Sequence, residues 1–312
     1  MIDFIVYDMT HLRYFAPFTR SLERLGFRTR WLIVVSNIKY NSISANRVNR
    51  VREIAQMSGC EIVDHFKGET GRCAVTIETG SPADLIHMKY DVVISMQHGF
   101  DYTSPDRVSP KNVLNIMWDQ TYVDQHVKTK SGFFYEIPSS PVAFWVDKMD
   151  CEKIAGTSRI ATVFYPEIGF HDNAVRACRT LLSLGIKPVV KQRRKNQSVP
   201  QIAGCDIVYD DMWHLSESIV YPTVSEICVG FGTSAYTDAI AAGLTFVDCT
   251  APKYSTDYVK PLSSRYFHCQ PGNEASVILE ALSMPSDFKK MTEGDQDSFV
   301  AKVMERMNVQ RT

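Results

Sequence analysis

The sequence lacks several patterns that identify common classes of protein. Its eight cysteines lie at least 13 residues apart, so there is no C-x-x-C pair and no local zinc-binding spacing. The patterns G-x-G-x-x-G, G-x-x-x-x-G-K-[ST] and G-x-S-x-G are absent as well. Their absence disfavours a standard dinucleotide site, a P-loop and a nucleophile elbow. No apolar run approaches the ~18 residues of a membrane span, and the first residues do not resemble a signal peptide.

An excess of charge of either sign is also missing. The chain has 34 basic and 35 acidic residues, a formal net charge of −1. No global field therefore favours nucleic acid or a membrane surface. The hydrophobic fraction of 45% and the charged fraction of 22% are those of an ordinary globular protein. Free thiols in a reducing compartment are the simplest account of the cysteines, so we predict a cytoplasmic protein.

The length and the order of predicted elements indicate two α/β domains. A chain of 312 residues reaches the size at which one hydrophobic core stops growing. Strands alternate with helices, which implies parallel sheets. We predict Rossmann-like domains at 1–156 and 157–290, and a C-terminal helix at 291–312 as a candidate to pack back on the first domain. The predicted strands are 4–7, 31–35, 61–63, 92–95, 113–117, 160–164, 188–191, 206–208, 227–229 and 244–247.

Residues 223–250 carry the clearest signal. They read as a short apolar strand, a turn of glycines and hydroxyl residues, a helix of small residues and a second strand. Gly230 and Gly232 let the backbone approach a ligand closely. Thr233 and Ser234 can cap the helix or donate to an anion at its N-terminus. The alternative is an ordinary βαβ crossover with a capped helix.

A basic turn follows the predicted strand 188–191. Lys191, Arg193 and Arg194 lie where this strand ends, and the planar arginine fork matches pairs of phosphate oxygens. These cations could neutralise a departing nucleoside diphosphate without a metal ion. The alternative is a solvated charge run on a loop.

Histidines and carboxylates follow strands of the first half. His98 comes directly after a strand, Asp101 is near enough in sequence to orient its ring, and His11 follows the first strand. Asp119 is a carboxylate in a comparable position. Either histidine can instead be a structural or surface residue. The one D-x-D pattern, 295–297, lies between C-terminal helices, so we predict no metal site.

A polar, basic segment at 39–52 is a candidate for acceptor contacts. Arg47 and Arg50 lie there among Asn and Ser, and with Asp119 they form the predicted acceptor set. Such a segment could contact an anionic polymer, including DNA. A solvated helix face is the alternative, because its arginines do not share a tight helical stripe.

The order of these features resembles glycosyltransferases of the GT-B type. His98-Gly99 after a strand is similar to the H-G pattern of CDP-glycerol glycerophosphotransferases and capsule-polysaccharide transferases. Thr233-Ser234 followed by Asp238 is similar to their S-S-x-x-x-D pattern. The resemblance implies two Rossmann-like domains facing each other across a cleft, with ligands at the carboxyl ends of the strands.

One departure separates this chain from the glycerophosphotransferases. Those proteins have Lys-x-His-Pro at the end of a strand in the second domain, where this chain has Lys191-Gln192-Arg193. The missing histidine argues against glycerol-phosphate transfer, and the cations still suit a diphosphate.

The resemblance also implies roles for the candidate residues. The second domain would bind the donor, and a base in the first domain, His98 or His11 with Asp101 nearby, would deprotonate the acceptor. The implied donor contacts are Lys191, Arg193, Arg194, Gly230, Gly232, Thr233, Ser234 and Asp238.

We therefore predict a metal-independent glycosyltransferase with a nucleotide-diphosphate sugar as co-substrate and no cofactor. The acceptor is a hydroxyl of a glycan, of another polymer or of modified DNA. The alternatives are a CDP-alditol phosphotransferase, a phage-type DNA base glycosyltransferase, which also has two Rossmann-like domains, and a non-catalytic nucleotide-binding module.

Overall fold

Two parallel sheets form the framework of the protein in a computed structural model. One compact unit comprises Met1–Ser139 and Thr292–Thr312, and the other comprises Ser140–Met291. The structure describes residues 1–6, 12–33, 52–53, 55–56, 58, 61–63, 72–77, 90–97, 112–117, 132–135, 159–166, 169–192, 197–208, 224–233, 235–236, 239, 242–250, 265–284 and 292–309. The four helices that we label among them are α1 (Leu12–Arg24), α2 (His171–Ser183), α3 (Glu274–Ser283) and α4 (Glu293–Arg306).

The first unit contains a seven-stranded parallel sheet in the order β3-β2-β1-β4-β5-β6-β7. Its strands are β1 (Ile2–Val6), β2 (Thr29–Ile33), β3 (Glu61–Val63), β4 (Cys73–Ile77), β5 (Val92–Met96), β6 (Asn112–Met117) and β7 (Gly132–Tyr135). All five residues of both β1 and β4 are buried, as is usual for parallel strands with both faces covered. Helix α1 contributes to this cover, because the Phe15 ring packs edge-on against Phe4 of β1 at 5.1 Å.

A buried ion pair ties together the amino-terminal ends of β1 and β2. The Asp3 carboxylate has no exposed surface and accepts hydrogen bonds from Nε and Nη2 of Arg30, each 3.0 Å long. The Tyr90 hydroxyl donates to the same carboxylate at 3.0 Å. Burial, and then the Asp3 charge, raise the pKa of Tyr90 and keep it a donor. Because parallel sheets bind ligands at the carboxyl ends of their strands, we assign this network a structural role.

The C-terminal helix α4 packs on α1 within the first unit. Phe299 meets Phe18 edge-on at 6.2 Å, and the Asp297 carboxylate accepts a hydrogen bond of 2.9 Å from Nε of Arg24. A capping box begins α4: the Thr292 hydroxyl accepts the Asp295 N–H at 3.2 Å, and the Asp295 carboxylate accepts the Thr292 N–H at 2.9 Å. These contacts account for the membership of residues 292–312 in this unit.

Removing the cap should weaken this packing. We expect Thr292→Ala to lower the free energy of unfolding by about 1 kcal/mol, because the Asp295 N–H loses its acceptor. Urea denaturation followed by circular dichroism measures the change. Ser298→Ala is the matched control: Ser298 is exposed inside α4, and alanine suits a helix interior at least as well. An equal decrease in the free energy of unfolding in both variants would contradict the capping role of Thr292.

The second unit contains a six-stranded parallel sheet in the order β10-β9-β8-β11-β12-β13. Its strands are β8 (Ile160–Phe164), β9 (Lys187–Lys191), β10 (Asp206–Val208), β11 (Ile227–Gly230), β12 (Phe246–Asp248) and β13 (Tyr266–His268). Numbered from β8, this is the 3-2-1-4-5-6 order of a Rossmann fold, whose strand order reverses between β8 and β11. The predicted α/β class with two Rossmann-like parts is confirmed.

The two faces of the second sheet differ. On one face, α2 and α3 pack against strand residues that include Val190 and Val247. Because side chains alternate along a strand, the neighbouring residues Lys191, Phe246 and Asp248 lie on the other face. Among the residues that the structure describes, we find no helix with the length and apolar character of a membrane span.

Candidate functional site

Polar residues collect at the carboxyl edge of the second sheet, next to the reversal of strand order. This edge is where open α/β sheets bind their ligands. Lys191 ends β9, Gly230 ends β11 and Asp248 ends β12. Since β8 lies between β9 and β11, the lysine and the glycine turn flank the end of one strand.

Lys191 is a buried cation at this edge. Its residue surface is 5% exposed, and its Nζ lies 5.6 Å from the centroid of the Phe164 ring, within the range of a cation–π contact. The ends of the strands are held in register around it: the Tyr165 N–H donates to the Lys191 carbonyl at 3.0 Å, and the Gln192 N–H donates to that of Val208 at 2.9 Å. A positive charge is thus held on a rigid strand end.

The glycine turn, which we define as residues 230–233, begins at Gly230, the last residue of β11. Gly232 has a φ of +59°, a left-handed conformation that favours glycine. At Gly230, a Cβ would lie 2.8 Å from Cγ2 of Thr233 and would also meet the Phe246 ring, so a larger residue would force these side chains to shift. The Thr233 hydroxyl accepts the Ala235 N–H at 3.3 Å. Thr233 therefore caps the next turn of the chain.

Asp248 holds the glycine turn from the neighbouring strand, although it is not among the predicted site residues. Its Oδ1 accepts the Gly232 N–H at 3.0 Å and the Thr250 N–H at 3.1 Å, together with the Thr250 hydroxyl. Its Oδ2 accepts the Tyr266 hydroxyl. The residue is only 3% exposed, so these four donors replace the water that the carboxylate lost on burial.

Aromatic rings support the turn on the same face of the sheet. Phe246 stacks on Tyr266 with centroids 5.9 Å apart, and it lies 6.4 Å from Phe164, the ring beneath Lys191. The Tyr236 ring meets both Phe246 and Tyr266 edge-on, at 6.1 and 5.6 Å. Burial, and then Asp248, raise the pKa of the Tyr266 hydroxyl, which keeps it a hydrogen-bond donor. A continuous aromatic layer thus links the lysine to the glycine turn.

Hydrogen bonds on the other face fix the starts of α2 and α3. Asn173 Nδ2 donates to the Cys249 carbonyl at 3.0 Å, and Arg176 Nη2 donates to Asn173 Oδ1 at 2.8 Å. Arg176 Nε donates to the Glu274 carboxylate at 2.7 Å, and that carboxylate also accepts the Gly272 N–H at 2.9 Å. Both helix starts are thereby attached to the edge that carries the candidate site.

The start of α2 carries an exposed histidine at the same edge. Phe170 precedes the helix with a left-handed φ of 54° and provides no side-chain cap. His171 is exposed, and its Nδ1 forms a hydrogen bond of 2.9 Å with the Tyr165 hydroxyl. The two rings stack with centroids 5.4 Å apart. Tyr165 is buried, so it holds the histidine ring in place.

The predicted site residues divide into two groups. Lys191, Gly230, Gly232 and Thr233 lie together at the carboxyl edge of the second sheet. The others lie outside the described residues, so their roles stay predictions: His11, Arg47, Arg50, His98, Asp101, Asp119, Arg193, Arg194, Ser234 and Asp238. By chain position, His98 comes two residues after the end of β5, and Asp119 comes two residues after the end of β6.

Comparison with known proteins shows a likeness of fold. No protein-family model matches the chain, and no curated protein does. Among solved structures, the glycosyltransferase SnogD from Streptomyces nogalater is 12% identical, with a TM-score of 0.54 over 99% of this chain and 94% of that one. The glycotransferase of kitacinnamycin is 9% identical, with a TM-score of 0.57 over 98% and 95%. A Listeria monocytogenes protein assigned as a UDP-N-acetylglucosamine 2-epimerase is 10% identical, with a TM-score of 0.63 over 100% and 97%.

These likenesses cover nearly the whole chain at low identity. They establish that the protein has the α/β fold of GT-B glycosyltransferases, with two Rossmann-like parts. The finer resemblance to CDP-glycerol glycerophosphotransferases depends on the short motifs at His98 and Thr233 and stays a prediction.

Proposed function

We propose that the protein is a glycosyltransferase that moves a sugar from a nucleotide-diphosphate sugar to a hydroxyl acceptor without a metal ion. The observation that carries this proposal is the pairing of a buried lysine with a glycine turn at the carboxyl edge of a Rossmann-ordered sheet. The glycosyltransferase fold of the whole chain supports it.

The donor diphosphate would lie against the second sheet. Lys191 supplies a fixed positive charge, and Arg193 and Arg194 follow it in the sequence. As the bond between the anomeric carbon and the diphosphate breaks, negative charge grows on the leaving oxygen. Cations that are already in position stabilise that charge without reorganisation. The turn at Thr233 and Ser234 would contribute hydroxyl donors, and Asp238 would bind a ribose or sugar hydroxyl.

The acceptor would be activated from the first unit. His98 follows β5 closely in the chain and is the proposed general base, with His11 or Asp101 as the alternatives. The base takes the proton of the acceptor hydroxyl as its oxygen bonds to the anomeric carbon. Arg47, Arg50 and Asp119 are the proposed acceptor contacts, for a glycan, another polymer or modified DNA. We propose that the reaction takes place in the cytoplasm.

A dinucleotide site is a competing interpretation of the turn. The form of the pattern that ends in glycine is absent, but residues 230–235, GFGTSA, match its G-x-G-x-x-A form, which the exclusion from the sequence did not cover. Asp248 ends the next strand, as the ribose-binding carboxylate does. In this protein, however, Asp248 is 3% exposed and accepts four hydrogen bonds from the protein itself. That carboxylate is committed to the turn, which argues against a ribose contact.

A nucleotide-sugar epimerase is a second candidate, favoured by the likeness to the Listeria protein at a TM-score of 0.63. The two reactions differ in their products. A glycosyltransferase releases a nucleoside diphosphate when it transfers the sugar to an acceptor hydroxyl, or to water in place of the acceptor. An epimerase transfers no sugar to an acceptor and yields an isomer of the sugar, either still attached to the nucleotide or released from it by hydrolysis.

One assay tests the proposal and its metal independence together. Purified protein is incubated with UDP-, CDP- or dTDP-glucose and hydroxyl acceptors, with and without EDTA, and nucleotides are separated by chromatography. We expect release of nucleoside diphosphate that persists in EDTA, because protein cations supply the charge that a metal would supply. Complete loss in EDTA that manganese restores would contradict metal independence.

Other products of the assay would select an alternative. With a CDP-alditol added as a further substrate, release of CMP and transfer of alditol phosphate to the acceptor identify the phosphotransferase. Transfer confined to hydroxymethylated DNA identifies the DNA base glycosyltransferase. Nucleotide binding without any turnover identifies the non-catalytic module.

A further inference from the structure

We propose that Asp248 is the positioning residue of the donor site: it fixes the shape of the glycine turn and does not contact the donor. This inference rests on the proposed function, because it assigns the turn to donor binding. It concerns a residue that is not among the predicted donor contacts and that lies on a different strand from the turn.

The geometry of the carboxylate carries the inference. Asp248 is 16 residues away from the turn in sequence, yet its Oδ1 lies 3.0 Å from the Gly232 nitrogen. Gly232 needs this support, since its left-handed φ of +59° is one of many conformations open to a glycine. The bond from its N–H to a buried carboxylate selects that conformation. Hydrogen bonds to charged groups are stronger than those between neutral groups.

The same carboxylate joins three segments of the sheet edge. Oδ1 also accepts the Thr250 N–H at 3.1 Å, just after β12, and Oδ2 accepts the Tyr266 hydroxyl at the start of β13. The Phe246 ring fills the space beside Gly230. Asp248 thus holds the turn through the backbone N–H of Gly232, and Phe246 holds it by packing beside Gly230.

This arrangement also limits what the turn can bind. The Gly232 N–H already donates to Asp248, so a donor phosphate cannot take the same hydrogen without displacing a buried carboxylate. An anion placed there would also face the negative charge of that carboxylate. We infer that Lys191 and the Thr233 hydroxyl contact the diphosphate. Gly232 would not contact it and would only set the conformation of the turn.

The test compares Asp248→Ala with Asp248→Asn in two measurements. The first is amide hydrogen exchange of the free proteins, read at Gly232 and Thr250. The second is calorimetry with UDP, CDP and dTDP. In Asp248→Ala, both amides lose their acceptor, so we expect faster exchange at both and an increase of about tenfold or more in the dissociation constant. Asp248→Asn keeps one acceptor oxygen for both N–H groups, and its side-chain amide can donate to the Tyr266 hydroxyl oxygen. We therefore expect its exchange rates and dissociation constants to stay within about threefold of those of wild type.

Two further variants separate positioning from stability. Tyr266→Phe removes only the bond to Oδ2, and we expect a smaller change in affinity than for Asp248→Ala. Thr162→Val removes a buried hydrogen bond of 2.8 Å to Ser225, which precedes β11 at its other end. This control should lose stability without weakening nucleotide binding. In kinetic assays, Asp248→Ala should raise KM for the donor by more than it lowers kcat, a split that general destabilisation does not produce.

The outcomes distinguish this inference from the proposed function. Unchanged exchange at Gly232 in a folded Asp248→Ala variant overturns the inference whatever the nucleotide results are. Faster exchange with unchanged nucleotide affinity overturns it as well, because the turn is then not part of the donor site. If wild type binds none of the three nucleotides, the proposed function fails and the inference fails with it.

Discussion

His98→Ala should lower turnover by about 100- to 10,000-fold, the usual contribution of a general base, while donor affinity stays close to that of wild type. The reason for this split is that the proposed donor contacts belong to the second unit, whereas His98 belongs to the first. Steady-state kinetics with saturating donor, together with calorimetry of nucleoside diphosphate binding, measures both quantities on one protein preparation.

His11→Ala is the matched control for this prediction. If a single base operates, only one of the two histidine variants should lose turnover to this degree. Near wild-type turnover in both variants would contradict the histidine assignment and would move the role to a carboxylate such as Asp101. A large loss of stability without a selective loss of turnover would identify His98 as a packing residue.

Lys191→Met should lower kcat/KM for the nucleotide sugar by about 100- to 1,000-fold. This is the usual effect of removing one fixed hydrogen-bond donor directed at the negative charge that develops in the transition state. Methionine fills the space next to the Phe164 ring with a similar apolar chain, so the fold should survive. Nucleoside diphosphate affinity should fall as well, because the proposed charge contact is made in the ground state too.

Lys187→Met provides the comparison within the same strand. Lys187 begins β9, four residues before Lys191, and its exposed Nζ pairs with the Asp206 carboxylate at 2.7 Å. An exposed pair of this kind contributes about 0–1 kcal/mol to stability and should not affect the donor. Equal kinetic effects from the two substitutions would show that Lys191 acts through the general charge of the strand and not at the carboxyl edge.

Much of the fold could be predicted from the sequence because buried parallel strands read as short apolar runs. The predicted strands 61–63, 160–164 and 206–208 coincide with β3, β8 and β10. Three strands were not predicted: β4, β7 and β13. The sequence YFH of β13 is not a short aliphatic run, and this strand depends on pairing with a neighbour, as Tyr266 does with Phe246.

The candidate site was only partly predictable, for a related reason. Lys191 and the glycine turn follow apolar runs, so their place at a sheet edge could be inferred. Asp248 was missed because the strand was predicted at 244–247, whereas β12 comprises Phe246–Asp248. The predicted strand ended one residue before the carboxylate and so left it out. Its bond to Gly232 depends on β12 lying next to β11, which is a tertiary contact.

We propose that the carboxyl edge of the second sheet binds a nucleoside diphosphate. Crystals soaked with UDP, CDP and their sugar conjugates test it most directly, because nucleotide and protein contacts are seen together. We expect the diphosphate beside Lys191 and the Thr233 hydroxyl, with the Asp248 carboxylate still accepting the Gly232 N–H. A nucleotide bound elsewhere, or one whose ribose has displaced Gly232 from Asp248, would contradict it.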